Sequence, residues 1–129
     1  MSALVRAIKT MQVRGAPAIG VAGAMGIALA VQKASKTAKT KRELMNKINK
    51  DARSLEHARP TAVNLAWGVK EATNFLGQLP DDINPRYAAK REIEFVKSLA
   101  DKDVSVNKEL SKIGQSLIHN NASILTHCN

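Results

Sequence analysis

The sequence predicts a mainly α fold, a helical bundle that ends in one short strand. Three observations carry that expectation. Aromatic residues make up only 3% of the 129-residue chain while hydrophobic residues reach 44%, so the core rests on Ala, Leu, Ile, Val and Met. Such residues suit helix packing better than a β-sandwich. Apolar positions recur three and four residues apart in most segments, the spacing of one helix face. Capping residues, prolines and glycines fall between those segments, where helices start and stop.

Leu4, Ile8 and Met11 at i, i+4 and i+7 predict a first short helix. From Gly15 to Val31 the chain then runs 17 residues without a charge. A membrane span wants about 20 strongly apolar residues. This run is mostly Ala and Gly, so a helix buried on nearly all sides is the better expectation. Gly20, Gly23 and Gly26 recur on a similar side of it, which predicts close approach of another backbone.

A Lys-, Ser- and Thr-rich linker leads to Thr40, which precedes Glu43 by three in a capping-box pattern. Leu44, Ile48 and Leu55 form a narrow apolar stripe on an otherwise basic surface helix. Pro60 and Thr61 mark the start of the next helix, with Val63, Ala66, Trp67, Phe75 and Leu76 as its core face and Gly77 and Pro80 at its end. Asn84–Pro85 is an N-cap followed by proline at the first helical position. Beyond that cap, Ile93, Val96 and Leu99 pattern a first helical stretch, and Val106, Leu110, Ile113 and Leu117 a second. DKDVS between them reads either as a break or as a polar turn of one long helix. Ser123 to Cys128 reads as a strand. The expected division is 1–121 for the helical part and 122–129 for the strand.

Lysine and arginine number 20 against 11 acidic residues, a formal charge of +9. That balance invites an anion: nucleic acid, an anionic membrane or a phosphorylated small molecule. From Lys33 to Arg53 eight basic residues face two acidic ones, net +6. Against nucleic acid, Trp67, Phe75, Tyr87 and Phe95 are scattered without a stacking pattern, and no helix-turn-helix signature is visible. One cysteine forms no internal disulfide, which fits a reducing, cytoplasmic setting. The N-terminus lacks the pattern of a signal peptide.

Candidate chemistry concentrates at three places. Arg14-Gly15-Ala16-Pro17 combines an always-charged fork, a glycine that permits close approach and a proline suited to a first helical turn. Free N–H groups and the positive end of the helix dipole favour an anion there. Arg59-Pro60-Thr61 repeats the arrangement, so two arginine-led helix starts could grip one phosphate. The same residues also suit arginines that merely decorate capped helix ends. Cys128 is the third place; beside His127 in a strand the two side chains point to opposite faces. The cysteine reads equally as an idle thiol or as a group that acts if its pKa is lowered. His57, His119 and His127 lack metal-ligand spacing, and GVAGAMG is no dinucleotide fingerprint because no strand precedes it. No metal and no cofactor are expected.

The stretches IKTMQVRGAPAIGVAGAMGIALA, ARPTAVNLAWGV and ILTHCN, in that order, resemble the methylthioribose-1-phosphate isomerase family. That family shares its fold with ribose-1,5-bisphosphate isomerase and the regulatory subunits of translation initiation factor 2B. The resemblance implies a helical domain followed by a Rossmann-like α/β domain, of which only the first strand is expected here. It implies an aldose–ketose isomerisation of 5-methylthioribose 1-phosphate to 5-methylthioribulose 1-phosphate, in methionine salvage. Arg14, Gly15 and Ala16 match the family's first substrate-binding motif, Arg59 its second, and Cys128 the cysteine at the reacting centre. The family's catalytic aspartate lies in the second domain and has no counterpart here, nor has the β-rich segment that precedes the first helix. The chain is therefore expected to be trimmed at both ends and inactive alone. Family members are implied to pair as homodimers. The alternatives are one of the two related functions of the same fold, or a small basic nucleic-acid-binding helical protein.

Overall fold

A computed structural model describes residues 1–127. The chain forms α1 (Ser2–Lys9), α2 (Ala16–Ala34), α3 (Lys41–Glu56), α4 (Val63–Gln78) and α5 (Pro85–Gln115). The charge-free stretch becomes α2, and α3, α4 and α5 all pack against it. Ile27 and Val31 of α2 meet Leu44, Ile48 and Leu55 of α3, Leu65, Val69 and Leu76 of α4, and Val96 of α5 in one core. By length and composition α2 could cross a membrane, yet half of it is buried inside the bundle. Met25 and Leu29 leave one exposed stripe on it.

The glycines of α2 set how close its neighbours come. A methyl group on Gly68 of α4 would stand 2.0 Å from the Gly20 carbonyl oxygen and 2.7 Å from its carbon. A methyl on Gly20 would lie 2.9 Å from the Asn64 carbonyl oxygen. The two backbones therefore touch near the starts of both helices. Gly26 instead makes room for side chains, Leu4 of α1 and Leu55 of α3, each 2.8 Å from where its methyl would be.

The caps fall where expected. The Thr40 hydroxyl accepts the Glu43 N–H at 3.2 Å, and the Glu43 carboxylate accepts the Lys39 N–H at 2.9 Å. Asn84 accepts the N–H groups of Arg86 and Tyr87 ahead of Pro85. Lys41 ties two helix ends together: its ammonium donates to the Gly77 carbonyl at 2.7 Å, to the Leu79 carbonyl, and to Asp81 at 3.0 Å. Phe75 and Phe95 stack with ring centroids 4.1 Å apart, joining α4 to α5.

Several expectations need correction. α1 ends at Lys9, so Met11 lies past it, exposed and with φ of 60°. α4 starts at Val63 rather than at Pro60–Thr61, which belong to the preceding turn. Its core face is Leu65, Gly68, Val69, Ala72 and Leu76. Val63 and Trp67 are 76% and 48% exposed. Of the two readings of DKDVS, the structure shows the one long helix: α5 runs through it without a break. Val106, Leu110 and Ile113 stay exposed on its projecting half, and Leu117 lies beyond its end. No strand forms over 123–127, because a strand needs a ladder partner and the described residues supply none there.

Glu92 of α5 is fully buried, and neither carboxylate oxygen has a hydrogen-bond partner among the described residues. Burial alone raises its pKa from 4.5 to about 8, because low dielectric disfavours the charged form. The folded chain keeps this proton at neutral pH while the unfolded chain releases it. Stability contributed here therefore falls as pH rises from about 4.5 to about 8, then levels off. Glu92→Leu should stabilise the chain by about 2 kcal/mol at pH 8. Urea unfolding should show that advantage shrinking toward pH 5.

Candidate functional site

The crossing at Gly20 and Gly68 brings the starts of α2 and α4 to the same place, and a cleft of about 330 Å³ opens between them. That volume is at the small end for ligand pockets. Arg14, Gly15, Ala16, Arg59, Thr61 and Asn64 line it, with apolar surface from Met11 and Ile19. The four residues singled out in the sequence for anion binding (Arg14, Gly15, Ala16 and Arg59) thus share one cavity. Cys128 lies outside the described residues.

Each wall has a local cause. Gly15 is the N-cap of α2 with φ 92° and ψ 128°, a left-handed conformation open to glycine and strained for other residues. It turns the chain from Arg14 into the helix, and Pro17 fixes the first turn. Ala62 caps α4. Neither Gly15 nor Ala62 offers a side-chain acceptor to the N–H groups behind it. The start of α2 therefore presents uncapped donors; at α4 the Val63 and Leu65 N–H groups donate to the Thr61 and Ala62 carbonyls, which leaves the Asn64 N–H. Both starts present the positive ends of their dipoles. The turn over 57–61 holds Arg59 half-buried.

No carboxylate lines the cleft. Among the described residues the ion pairs involve Lys41, Lys47 and Lys90, so neither guanidinium is paired. Two guanidinium groups and two helix starts around one small cavity have the chemistry to suit a compact dianion. Guanidinium forks match phosphate oxygens in pairs. The lining holds no Asp, Glu or His, so these walls can bind and orient an anion but carry no proton-transfer group. Among the described residues no group of three or more His, Cys, Asp or Glu side chains is placed to hold a metal.

Sequence pattern does not single out Asn64, and it takes Met11 for a helix-face residue rather than a cleft residue. Placing the helix start at Pro60 hides Asn64, which occupies the second position of the true first turn. The positive φ of Met11 leaves no signature in the sequence.

The fold and the cleft define a helical domain with a small, acid-free cleft at two helix starts. The chain belongs to the initiation factor 2 subunit family, whose profile matches residues 12–129. It is 34% identical over 129 residues to the methylthioribose-1-phosphate isomerase of Herpetosiphon aurantiacus, covering all of this chain and 36% of that protein. It is 40% identical over 124 residues to the enzyme of that name from Caldanaerobacter subterraneus subsp. tengcongensis, covering 95% of this chain and 35% of the relative. A Thermoanaerobacter protein of the same name is 41% identical over 126 residues, with the same coverage of 95% and 35%. The chain thus spans about a third of the length of the curated relatives it matches. No solved structure matches it significantly.

Arg14→Ala and Arg59→Ala should each weaken binding of inorganic phosphate roughly tenfold or more, the worth of one charge-assisted hydrogen bond. Arg59→Lys should restore only part of the loss, since an ammonium lacks the planar fork. Isothermal titration at low salt measures both.

Proposed function

We propose that this chain supplies the phosphate-gripping helical part of a methylthioribose-1-phosphate isomerase. The observation that supports the reading most is the shared cleft of Arg14, Gly15, Ala16 and Arg59, free of any acidic residue. In this role the two arginines and the uncapped N–H groups hold the C1 phosphate of 5-methylthioribose 1-phosphate. The sugar then projects out of the cradle, away from α2 and α4.

Holding the phosphate fixes the sugar but does not isomerise it. Moving a hydrogen between neighbouring sugar carbons needs an acid–base pair, worth about 10²–10⁴-fold in typical enzymes. The cradle has none. The proposal assigns Cys128 to the reacting centre. Its acid–base partner is the aspartate of the second domain that the family resemblance implies. It also takes 1–121 as the helical part and 122–129 as the lead into that domain, with a homodimer and a cytoplasmic setting for the complete enzyme. The same cradle would serve a ribose-1,5-bisphosphate isomerase or a subunit of initiation factor 2B, and substrate choice separates these.

The test is a graft. Residues 1–129 replace the matching segment of the Thermoanaerobacter relative, and the folded chimera is assayed with both phosphosugars. The expected result is turnover of 5-methylthioribose 1-phosphate, lost by roughly tenfold or more in kcat/KM on Arg59→Ala. The isolated chain should give no product. A folded chimera that is inactive, or that prefers ribose 1,5-bisphosphate, contradicts the reading.

A further inference from the structure

A second cleft, of about 720 Å³, lies between the last turn of α2 and the first three turns of α5. Lys36 stands on one wall; Arg86, Lys90 and Lys97 stand on the other. The three on α5 are spaced i, i+4 and i+11, which keeps them on one helix face. Glu94 is the one acid in the lining, and it is paired, loosely at 4.0 Å, with Lys90. Among the described residues Lys36, Arg86 and Lys97 have no carboxylate partner. Between the charges the cleft is floored by Ala89, which is buried, and Ile93, which is half-buried.

One of these cations is unfavourably placed in the bare fold. The first turn of α5 holds no acidic residue, and Arg86 sits in it. A positive charge there opposes the positive end of the helix dipole. Lys36, past the end of α2, offsets that helix's negative end, and Lys90 has Glu94, but Arg86 has no such compensation. An anionic occupant would relieve both the mutual repulsion and the dipole conflict.

We infer that this cleft docks an acidic amphipathic polypeptide segment, its carboxylates on the cationic rim and its aliphatic side chains on Ala89 and Ile93. Charge complementarity selects an anion. The apolar floor selects a chain that carries aliphatic groups as well. Single-stranded nucleic acid binds on aromatic platforms, and no aromatic residue lines this cleft. The site lies at the far end of α2 from the Arg14–Arg59 cradle, about 28 Å along a helix of 19 residues. Both can therefore be filled at once, and the docking does not depend on what the cradle binds.

The probe is a synthetic peptide of Glu, Asp and Ala with leucines at i and i+4, titrated into the isotopically labelled chain and followed by amide NMR. Saturable shifts at Lys36, Ala89, Ile93 and Lys97 are expected. Arg86→Glu with Lys97→Glu should weaken binding by about tenfold or more, and serine in place of the leucines should weaken it too. Arg86→Glu alone should raise the melting temperature, because it puts an acid in the first turn of α5; that separates loss of binding from loss of fold. No saturable shift in the cleft, unchanged binding by the double variant, or tighter binding there of a uridine oligoribonucleotide would each overturn the inference.

Discussion

The architecture depends on one backbone contact. Gly68 of α4 lies so close to the Gly20 carbonyl that a methyl group would collide with it. Neither helix gains from these glycines by itself; each costs about 1 kcal/mol of helix propensity relative to alanine. The return is geometric. Because the crossing falls one turn into both helices, their N-termini must emerge side by side. Packing in the core and the position of the cradle are thus consequences of the same pair of residues.

That crossing turns two ordinary helix starts into a directed electrostatic field. Each start alone would carry only a partial positive charge. Together, with Arg14 and Arg59 and no acid in the lining, they define a small cavity whose field has one sign. The core treats charge in the opposite way. Glu92 is buried without a partner among the described residues and stays protonated at neutral pH, while Lys41 bonds the Gly77 and Leu79 carbonyls and Asp81 at the end of α4. Charge is neutralised or paired inside, and left unpaired at both ends of α2 where ligands can reach it.

Much of this was legible in the sequence, and the exceptions have physical causes. The charge-free stretch, the Thr40–Glu43 box and the Asn84–Pro85 cap located α2, α3 and α5 because local chemistry sets those features. Arg14 and Arg59 could be paired as candidates because each precedes residues of a kind that starts helices, although only Arg14 leads directly into one. α4 was harder. Pro60 is a good first-turn residue, yet here it occupies a turn, and the helix begins at Val63. That offset rotates the apolar face, so Leu65, Val69 and Ala72 replace Val63, Ala66 and Trp67 in the core. Gly68 marks the true face, but its meaning requires knowing that Gly20 lies opposite. Val106, Leu110 and Ile113 show the converse: their spacing reads as a buried stripe, while among the described residues nothing packs over them. Periodicity records which side a helix would bury, not whether a partner is present.

The most direct test compares Gly68→Ala with Gly77→Ala for affinity toward inorganic phosphate, by amide NMR at a temperature where both remain helical. Both substitutions lie on α4, but a methyl at Gly77 meets nothing within 4 Å. The account predicts that Gly77→Ala binds phosphate as the unmodified chain does, with shifts at Gly15, Ala16 and Asn64. Gly68→Ala, by forcing the two helix starts apart, should lose most of that affinity. If Gly68→Ala binds phosphate as tightly as the unmodified chain, the crossing does not build the cradle and the account is wrong.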